Sequence, residues 1–220
     1  MSVTDELIKL DPSLKIYQEG EWDKDIFHKP GYTSFNDAGL ECEVGEFMYG
    51  LVRLLQPTQI LETGTHVGVG AAYIGKALKD NNKGHLDTLE FLPPNHMLAK
   101  VRIAAMDLAF HVTCHLVDAA KFEPTVQYDM ILLDTEPQTR FNELLTYDKY
   151  LKPGGYVFIH DLNRHMGQMD NAEHGFAWPW GIVPKQMAEL VKQGKYRPFH
   201  FSNPRGLTGF YKVHPDDYKW

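Results

Sequence analysis

Ile60-Leu61-Glu62-Thr63-Gly64-Thr65-His66-Val67-Gly68-Val69-Gly70-Ala71 is the stretch on which the fold turns. A short apolar run ends on the carboxylate of Glu62, three glycines follow in the pattern GxxxGxG, and helical spacing begins at Ala71. A glycine at a strand end lets the backbone turn sharply and leaves room for a ligand against it. Glycines at 68 and 70 open the next helix, whose unpaired N–H groups favour an anionic ligand group.

Working downstream, short apolar runs alternate with helical periodicity. The helix from Ala71 to Lys79 is closed by Asn81-Asn82-Lys83-Gly84, a run of turn formers. His85–Glu90 reads as a strand, Asn95–Phe110 as a helix, and Val112–Asp118 as a third strand. Met130-Ile131-Leu132-Leu133-Asp134 is a continuous apolar run, the pattern of a central strand buried on both faces. A helix over Phe141–Leu151 stops at Pro153-Gly154-Gly155, and Tyr156–His160 forms a fifth strand. After a helix from Ile182 to Gln193, with Pro184 in its first turn, come strands Tyr196–Phe201 and Leu207–Val213. The five residues Ser202–Gly206 between them are too few for a crossover, so these two pair antiparallel. The chain is therefore expected to be α/β, with a doubly wound, mostly parallel seven-stranded sheet and a C-terminal antiparallel hairpin.

Upstream, Val44, Phe47, Met48, Leu51, Val52 and Leu55 mark one face of a helix ended by Pro57. Residues 1–40 are polar with scattered aromatics and are expected to form an arm or cover on a domain spanning 41–220. Arg164–Gly181 is long for a strand-to-helix connection and carries Phe176, Trp178 and Trp180. It reads as a lid-like insertion lining an acceptor pocket.

With 220 residues the chain suits one well-buried α/β domain. Its 22 basic and 29 acidic residues give a net charge of −7, with no basic cluster, which argues against nucleic acid. No run approaches the ~20 apolar residues of a membrane span. Met1–Leu10 carries Asp5 and Glu6 where a secretory leader would be basic and then apolar. Cys42 and Cys114 stand outside any CxxC spacing, as expected of a cytoplasmic protein.

The glycine loop is not the GxGxxG of a nicotinamide site, and a pyrophosphate would be repelled by Glu62. A ligand with an ammonium group would be held by it. Glu90, twenty residues beyond Gly70 at a strand tip, suits a ribose diol. Asp118 or its neighbour Ala119 would meet an adenine amino group. A ligand with a cationic amino-acid end, a ribose and an adenine is S-adenosylmethionine (SAM). The cofactor-binding candidates are Glu62, Gly64, Thr65, His66, Gly68, Gly70, Glu90, Asp118, Ala119 and Asp134.

Taken in order, Glu62-x-Gly64-x-x-x-Gly68-x-Gly70, Glu90, Asp118-Ala119, Asp134 and Tyr150-Leu-Lys-Pro-Gly-Gly155 resemble the motif series of the class I SAM-dependent methyltransferases over roughly residues 40–213. The small O-methyltransferases, of the catechol or caffeoyl-CoA type and the macrolide-sugar type, are the most similar group. The resemblance implies an enzyme that moves a methyl group from SAM to a hydroxyl of a small acceptor, a sugar or a phenolic natural product. A non-catalytic binding or scaffold protein on the same fold is the alternative. A homodimer is the default expectation for self-association.

Asp134, His160 and Asp161 fall at carboxyl ends of strands, where such sheets bind ligands, and are the catalytic candidates. Making a hydroxyl nucleophilic takes a general base or a hard divalent cation such as Mg²⁺. Metal-dependent relatives place an Asp at the fourth strand tip and an Asp-Asn pair at the fifth. Here Asp134 matches the first, but Leu162 separates Asp161 from Asn163, so a metal on Asp134, Asp161 and Asn163 stays open. Pro137 stands where catechol-type enzymes have a lysine base, leaving His160 or His165 as candidates. Other roles compete: Asp134 as a helix N-cap or loop anchor, and Arg140 as a contact for an anionic acceptor or as a partner of Glu143 on the helix surface.

Overall fold

The computed structural model describes residues 1–12, 14–18, 33–35, 39–136, 139–161, 175–178, 181–201 and 206–217. The chain divides into two compact units, Met1–Phe122 and Glu123–Trp220.

In the first unit the order is α1 (Val3–Leu10), β1 (Ile16–Gln18), β2 (Thr33–Phe35), α2 (Cys42–Leu55), β3 (Gln59–Thr63), α3 (Val69–Asn81), β4 (His85–Glu90), α4 (Pro93–Ala105) and β5 (Val112–Leu116). The second holds β6 (Tyr128–Leu133), α5 (Arg140–Tyr147), β7 (Leu151–His160), β8 (Gly175–Trp178), β9 (Gly181–Pro184), α6 (Lys185–Lys192), β10 (Tyr196–Phe201) and β11 (Leu207–Lys212). Seven strands make one mixed sheet in the order β10-β11-β7-β6-β3-β4-β5. It runs outward from β3 in both directions, as a doubly wound sheet does. β3, β4 and β5 pair in parallel, as do β6 and β7, while β11 runs antiparallel to both β7 and β10. The expected α/β sheet with its terminal hairpin is present.

Burial follows the sequence pattern where that pattern was strong. Met130, Ile131, Leu132 and Leu133 of β6 are all buried, as are Ile60 and Leu61 of β3. On α2 the buried residues are Cys42, Val44, Gly45, Met48 and Val52; of the expected face Val44, Met48 and Val52 are buried, while Leu55 is exposed. Gln56 then adopts a left-handed conformation, its N–H bonding Val52 O, and Pro57 follows.

The start of the chain is more structured than a polar arm. Ser2 and Asp5 form a reciprocal capping box on α1, whose Val3 and Leu7 are buried. Thr4 fastens α1 inward: its N–H and hydroxyl both donate to Glu46 Oε1 at 2.8 Å, and Tyr73 Oη lies 2.7 Å from the same hydroxyl.

Several boundaries depart from expectation; α4 ends at Ala105, short of Phe110, and α5 at Tyr147, short of Leu151. Pro93 and Pro94 start α4 two residues early, because proline is preorganised for the first helical turn. β7 begins at Leu151 and passes through Pro153-Gly154-Gly155, accommodated by a bulge opposite Tyr128–Met130 with Gly154 at φ 83°. The helix expected from Ile182 starts at Lys185, since Gly181–Pro184 is a strand paired antiparallel with Gly175–Trp178. Ile182 and Val183 are β-branched, and a residue before proline is disfavoured in a helix. Among the described residues no helix is long and apolar enough to cross a membrane.

Candidate active site

In the first unit, the turn after β3 builds a cradle. Gly64 (φ 82°) and Thr65 both donate N–H bonds to Leu89 O at 3.0 Å, folding the loop against the end of β4. His66 takes a left-handed φ of 47°, rare for a side-chain-bearing residue, and its N–H donates to Glu90 Oε2 at 2.8 Å. Oε1 of Glu90 accepts from Leu92 N–H, also at 2.8 Å, so this buried carboxylate is fixed from both sides. Gly68 (φ 84°) caps α3 without any side-chain bond, and no acidic residue occupies the first turn.

Glu62 is buried at 2% exposure. It stands opposite Thr88 in the β3–β4 register, and Thr88 Oγ1 donates to its Oε2 at 2.5 Å. Thr65 Oγ1 lies 2.5 Å from Thr88 Oγ1. A hydroxyl has one proton, and that of Thr88 goes to Glu62, so Thr65 donates to Thr88. A Cβ on Gly70 would overlap Oε1 of Glu62, which makes glycine the residue that lets the carboxylate lie against the first turn of α3. The structure thereby gathers Glu62, Gly64, Thr65, His66, Gly68, Gly70 and Glu90 about one turn. Asp118 caps the short 3₁₀ turn Ala119–Lys121, accepting from Ala120 N–H at 3.0 Å and pairing with Lys121 at 3.4 Å. Ala119 is buried beside it. Thr88 escaped the sequence reading, although it lies two residues before Glu90 and so shares its face.

In the second unit, β6 and β7 deliver Asp134, His160 and Asp161 together; one donor atom from each lies within 4.8 Å of the others. His160 is completely buried, and its Nδ1 stands 2.9 Å from Asp134 Oδ1. A carboxylate only accepts, so this nitrogen carries the proton. Asp161 takes a left-handed φ of 57°, an uncommon conformation that turns the chain at the end of β7.

Arg140 places its guanidinium between the two carboxylates of the group. Its side chain is only 3% exposed, and Nη2 bridges Asp161 Oδ2 at 3.0 Å and Asp134 Oδ1 at 3.1 Å. Nε donates to Thr135 O at 2.7 Å and Nη1 to His160 O. This corrects two expectations. Arg140 is not a surface partner of Glu143, which instead accepts from Thr135 Oγ1 at 2.7 Å. Nor does Asp134 cap α5, whose N-cap is Thr139. The signal was present: Arg140, Leu144 and Tyr147 are spaced four and three apart and share the buried face of α5.

Asn163, and residues 164–174 of the insertion with His165 among them, lie outside the described residues, as does Trp180. Of the metal candidates, Asp134 and Asp161 are brought together, but a guanidinium already sits between them. A divalent ion drawing on both carboxylates would compete with that fixed positive charge for the same oxygens. Both described carboxylates of that set are thus already engaged by a guanidinium, and Asn163, the third candidate, is not among the described residues.

A glycine loop after β3, an acid at the tip of β4, and the reversed β11 beside β7 define the fold of the class I SAM-dependent methyltransferases. Residues 61–162 match the family described as a methyltransferase domain. The match spans 102 of the 220 residues and agrees with the fold. Solved structures agree in fold. An O-methyltransferase, TomG, from Streptomyces achromogenes has 21% identity and a TM-score of 0.64, covering 81% of this chain and 83% of its own. An O-methyltransferase from Bacillus cereus has 16% identity and a TM-score of 0.66, with 96% and 90% covered. A Staphylococcus aureus protein described as a caffeoyl-CoA O-methyltransferase has 20% identity and a TM-score of 0.63, with 80% and 85% covered. No curated protein sequence matches significantly.

Proposed function

We propose that the chain is a SAM-dependent O-methyltransferase acting on a hydroxyl of a small acceptor, a sugar or a phenolic natural product. The observation that carries this reading is the cradle of the first unit. Buried Glu62 suits the ammonium of the donor, the uncapped start of α3 suits its carboxylate, and the doubly anchored Glu90 suits the ribose diol. Each carboxylate oxygen of Glu90 already accepts one backbone N–H and has a further lone-pair site for a hydroxyl. Asp118 and Ala119 are assigned to the adenine edge. The TomG and Bacillus cereus structures are complexes with SAM and S-adenosylhomocysteine respectively, which supports the same ligand class here.

The chemistry is direct displacement. The acceptor oxygen attacks the methyl carbon in line with the sulfonium, and the electrons of the breaking C–S bond return to sulfur. S-adenosylhomocysteine leaves, and the hydroxyl proton passes to a base. Asp134 is the base candidate best suited to reach an acceptor, because its side chain is 15% exposed while His160 is wholly buried. His160 would act through Asp134, holding its carboxylate by the Nδ1–H bond. Asp161 would act through Arg140. Residues 1–40 and the 164–181 insertion are assigned to acceptor binding and closure.

Incubation with SAM and a panel of hydroxylated sugars and phenols, followed by chromatographic detection of S-adenosylhomocysteine, tests the reading. Acceptor-dependent release is expected. Folded protein that binds SAM yet turns over no acceptor in the panel would favour the non-catalytic alternative.

A further inference from the structure

We infer that Arg140 takes the place of a divalent cation, so that the Asp134–His160–Asp161 group operates without metal. The inference rests on the reading of the chain as a SAM-dependent methyltransferase, but its geometry belongs wholly to the second unit. Two carboxylates and an imidazole converge within 4.8 Å, an arrangement that in isolation would attract a hard cation. The positive charge they converge on is supplied by the chain. One guanidinium nitrogen bridges Asp134 Oδ1 and Asp161 Oδ2 at 3.1 and 3.0 Å, inside a side chain 3% exposed.

The guanidinium is also locked in orientation. Nε and Nη1 are spent on the carbonyls of Thr135 and His160, which follow β6 and end β7 respectively. Those two bonds fix the plane of the group, so that Nη2 is aimed at the carboxylates without freedom to swing away. His160 Nδ1–H approaches the same Asp134 oxygen at 2.9 Å, adding a second donor where a metal would require a bare lone pair. Nδ1 of His160, which carries the proton in this bond, is itself not available as a ligand atom.

Two features argue that this is a built arrangement and not a fortuitous ion pair. Arg140 lies on the buried face of α5 with Leu144 and Tyr147, a position an unpaired arginine would not tolerate. Asp161 adopts its left-handed φ of 57° at the strand end, and in this conformation its carboxylate lies 3.0 Å from the guanidinium. Arg140 is therefore a positioning residue. It places one positive charge between two carboxylates that would otherwise repel each other, and holds Asp134 in one orientation. Among the described residues no hydrogen bond engages Asp134 Oδ2, which leaves that oxygen for a substrate hydroxyl.

The test is Mn²⁺ binding, read from loss of the free-ion electron paramagnetic resonance signal, on the full chain and on Asp134→Asn, Arg140→Met and Arg140→Lys. Wild type and Asp134→Asn are expected to bind Mn²⁺ equally, because no metal depends on Asp134. Arg140→Met, which removes the charge while keeping much of the bulk, is expected to gain a site at least tenfold tighter. Arg140→Lys, which keeps the charge, is expected to gain none. Wild-type binding that Asp134→Asn abolishes overturns the inference, as does a folded Arg140→Met that gains no site. Should Arg140→Met fail to fold by circular dichroism, the comparison of wild type with Asp134→Asn decides alone. Turnover after exhaustive chelation is expected to stay within twofold of the untreated protein; loss of turnover restored by Mg²⁺ counts against it. Binding of S-adenosylhomocysteine is measured separately by calorimetry. Its absence would remove the methyltransferase reading without touching the Mn²⁺ result.

Discussion

Replacing Gly70 with alanine should weaken donor binding severely while leaving the fold intact. The added Cβ would overlap Oε1 of Glu62, yet its next neighbours, Glu62 Cδ and Leu40 Cδ2, stand at 3.6 Å in ordinary contact. The conflict is thus confined to one carboxylate oxygen. Glu62 can relieve it only by rotating, and rotation breaks the 2.5 Å bond from Thr88 and turns the carboxylate from the first turn of α3. A hydrogen bond to a charged group contributes about 1.5–3 kcal/mol, so a donor whose ammonium relied on that carboxylate would lose a similar amount. At 1.4 kcal/mol per tenfold, this corresponds to roughly a ten- to hundredfold rise in Kd. Helix propensity works the other way, since alanine exceeds glycine by about 1 kcal/mol inside a helix. This gain offsets part of the about 1–3 kcal/mol lost with the Thr88–Glu62 bond, so the melting temperature should fall modestly and the affinity is compared on protein shown to be folded. Titration calorimetry with S-adenosylhomocysteine reads the affinity, and a melt by circular dichroism reads the fold. An unchanged Kd on folded Gly70→Ala would refute the assignment of Glu62 to the donor's ammonium.

Two further glycines on α2 should respond in opposite directions. Gly50→Ala meets nothing within 4 Å and should stabilise by about 0.5–1 kcal/mol, whereas Gly45→Ala drives a Cβ into the buried Tyr73 ring and should destabilise by about 1–3 kcal/mol, both read from urea midpoints. Thr88→Val keeps the shape but deletes the hydroxyl that donates to Glu62, and should cost about 1–3 kcal/mol in the same assay. Burial, followed by the charge of Glu62, pushes the Cys114 thiol from 9.0 up to about 11. At pH 8 native alkylation, measured by mass spectrometry, should run roughly a hundredfold slower than in urea, because the thiolate reacts. The unfolded thiol ionises first, so stability should fall as pH rises from 9 towards 11; a flat profile there would contradict the shift.

What could be read from residues alone followed the strength of local physics. The run Met130–Leu133 admits only a strand buried on both faces, and the five residues Ser202–Gly206 admit only a hairpin, so the sheet was legible from spacing. The glycine turn was legible because Gly64 and Gly68 occupy left-handed backbone that other residues rarely adopt. Pro153-Gly154-Gly155 misled, since a proline and two glycines signal a stop equally well before a strand and within a bulged one. Gly181–Pro184 misled because a proline near a helix start is compatible with the strand that precedes it. Arg140 was hidden for a different reason. Its partners Asp134 and Asp161 are brought to it by β6 and β7, and a charge on a helix reads as solvated until tertiary structure supplies the opposite charge. The helical spacing to Leu144 and Tyr147 held the information, but only if an arginine is allowed on an apolar face. Thr88 needed the β3–β4 register, which no local pattern encodes.

Calorimetric titration of the folded chain with S-adenosylhomocysteine puts the donor cradle itself to the question, with Glu90→Ala as the companion protein. One equivalent bound with measurable heat, weakened at least tenfold in Glu90→Ala, is the predicted result. No heat of association at any temperature tried, or an affinity indifferent to Glu90, would contradict it.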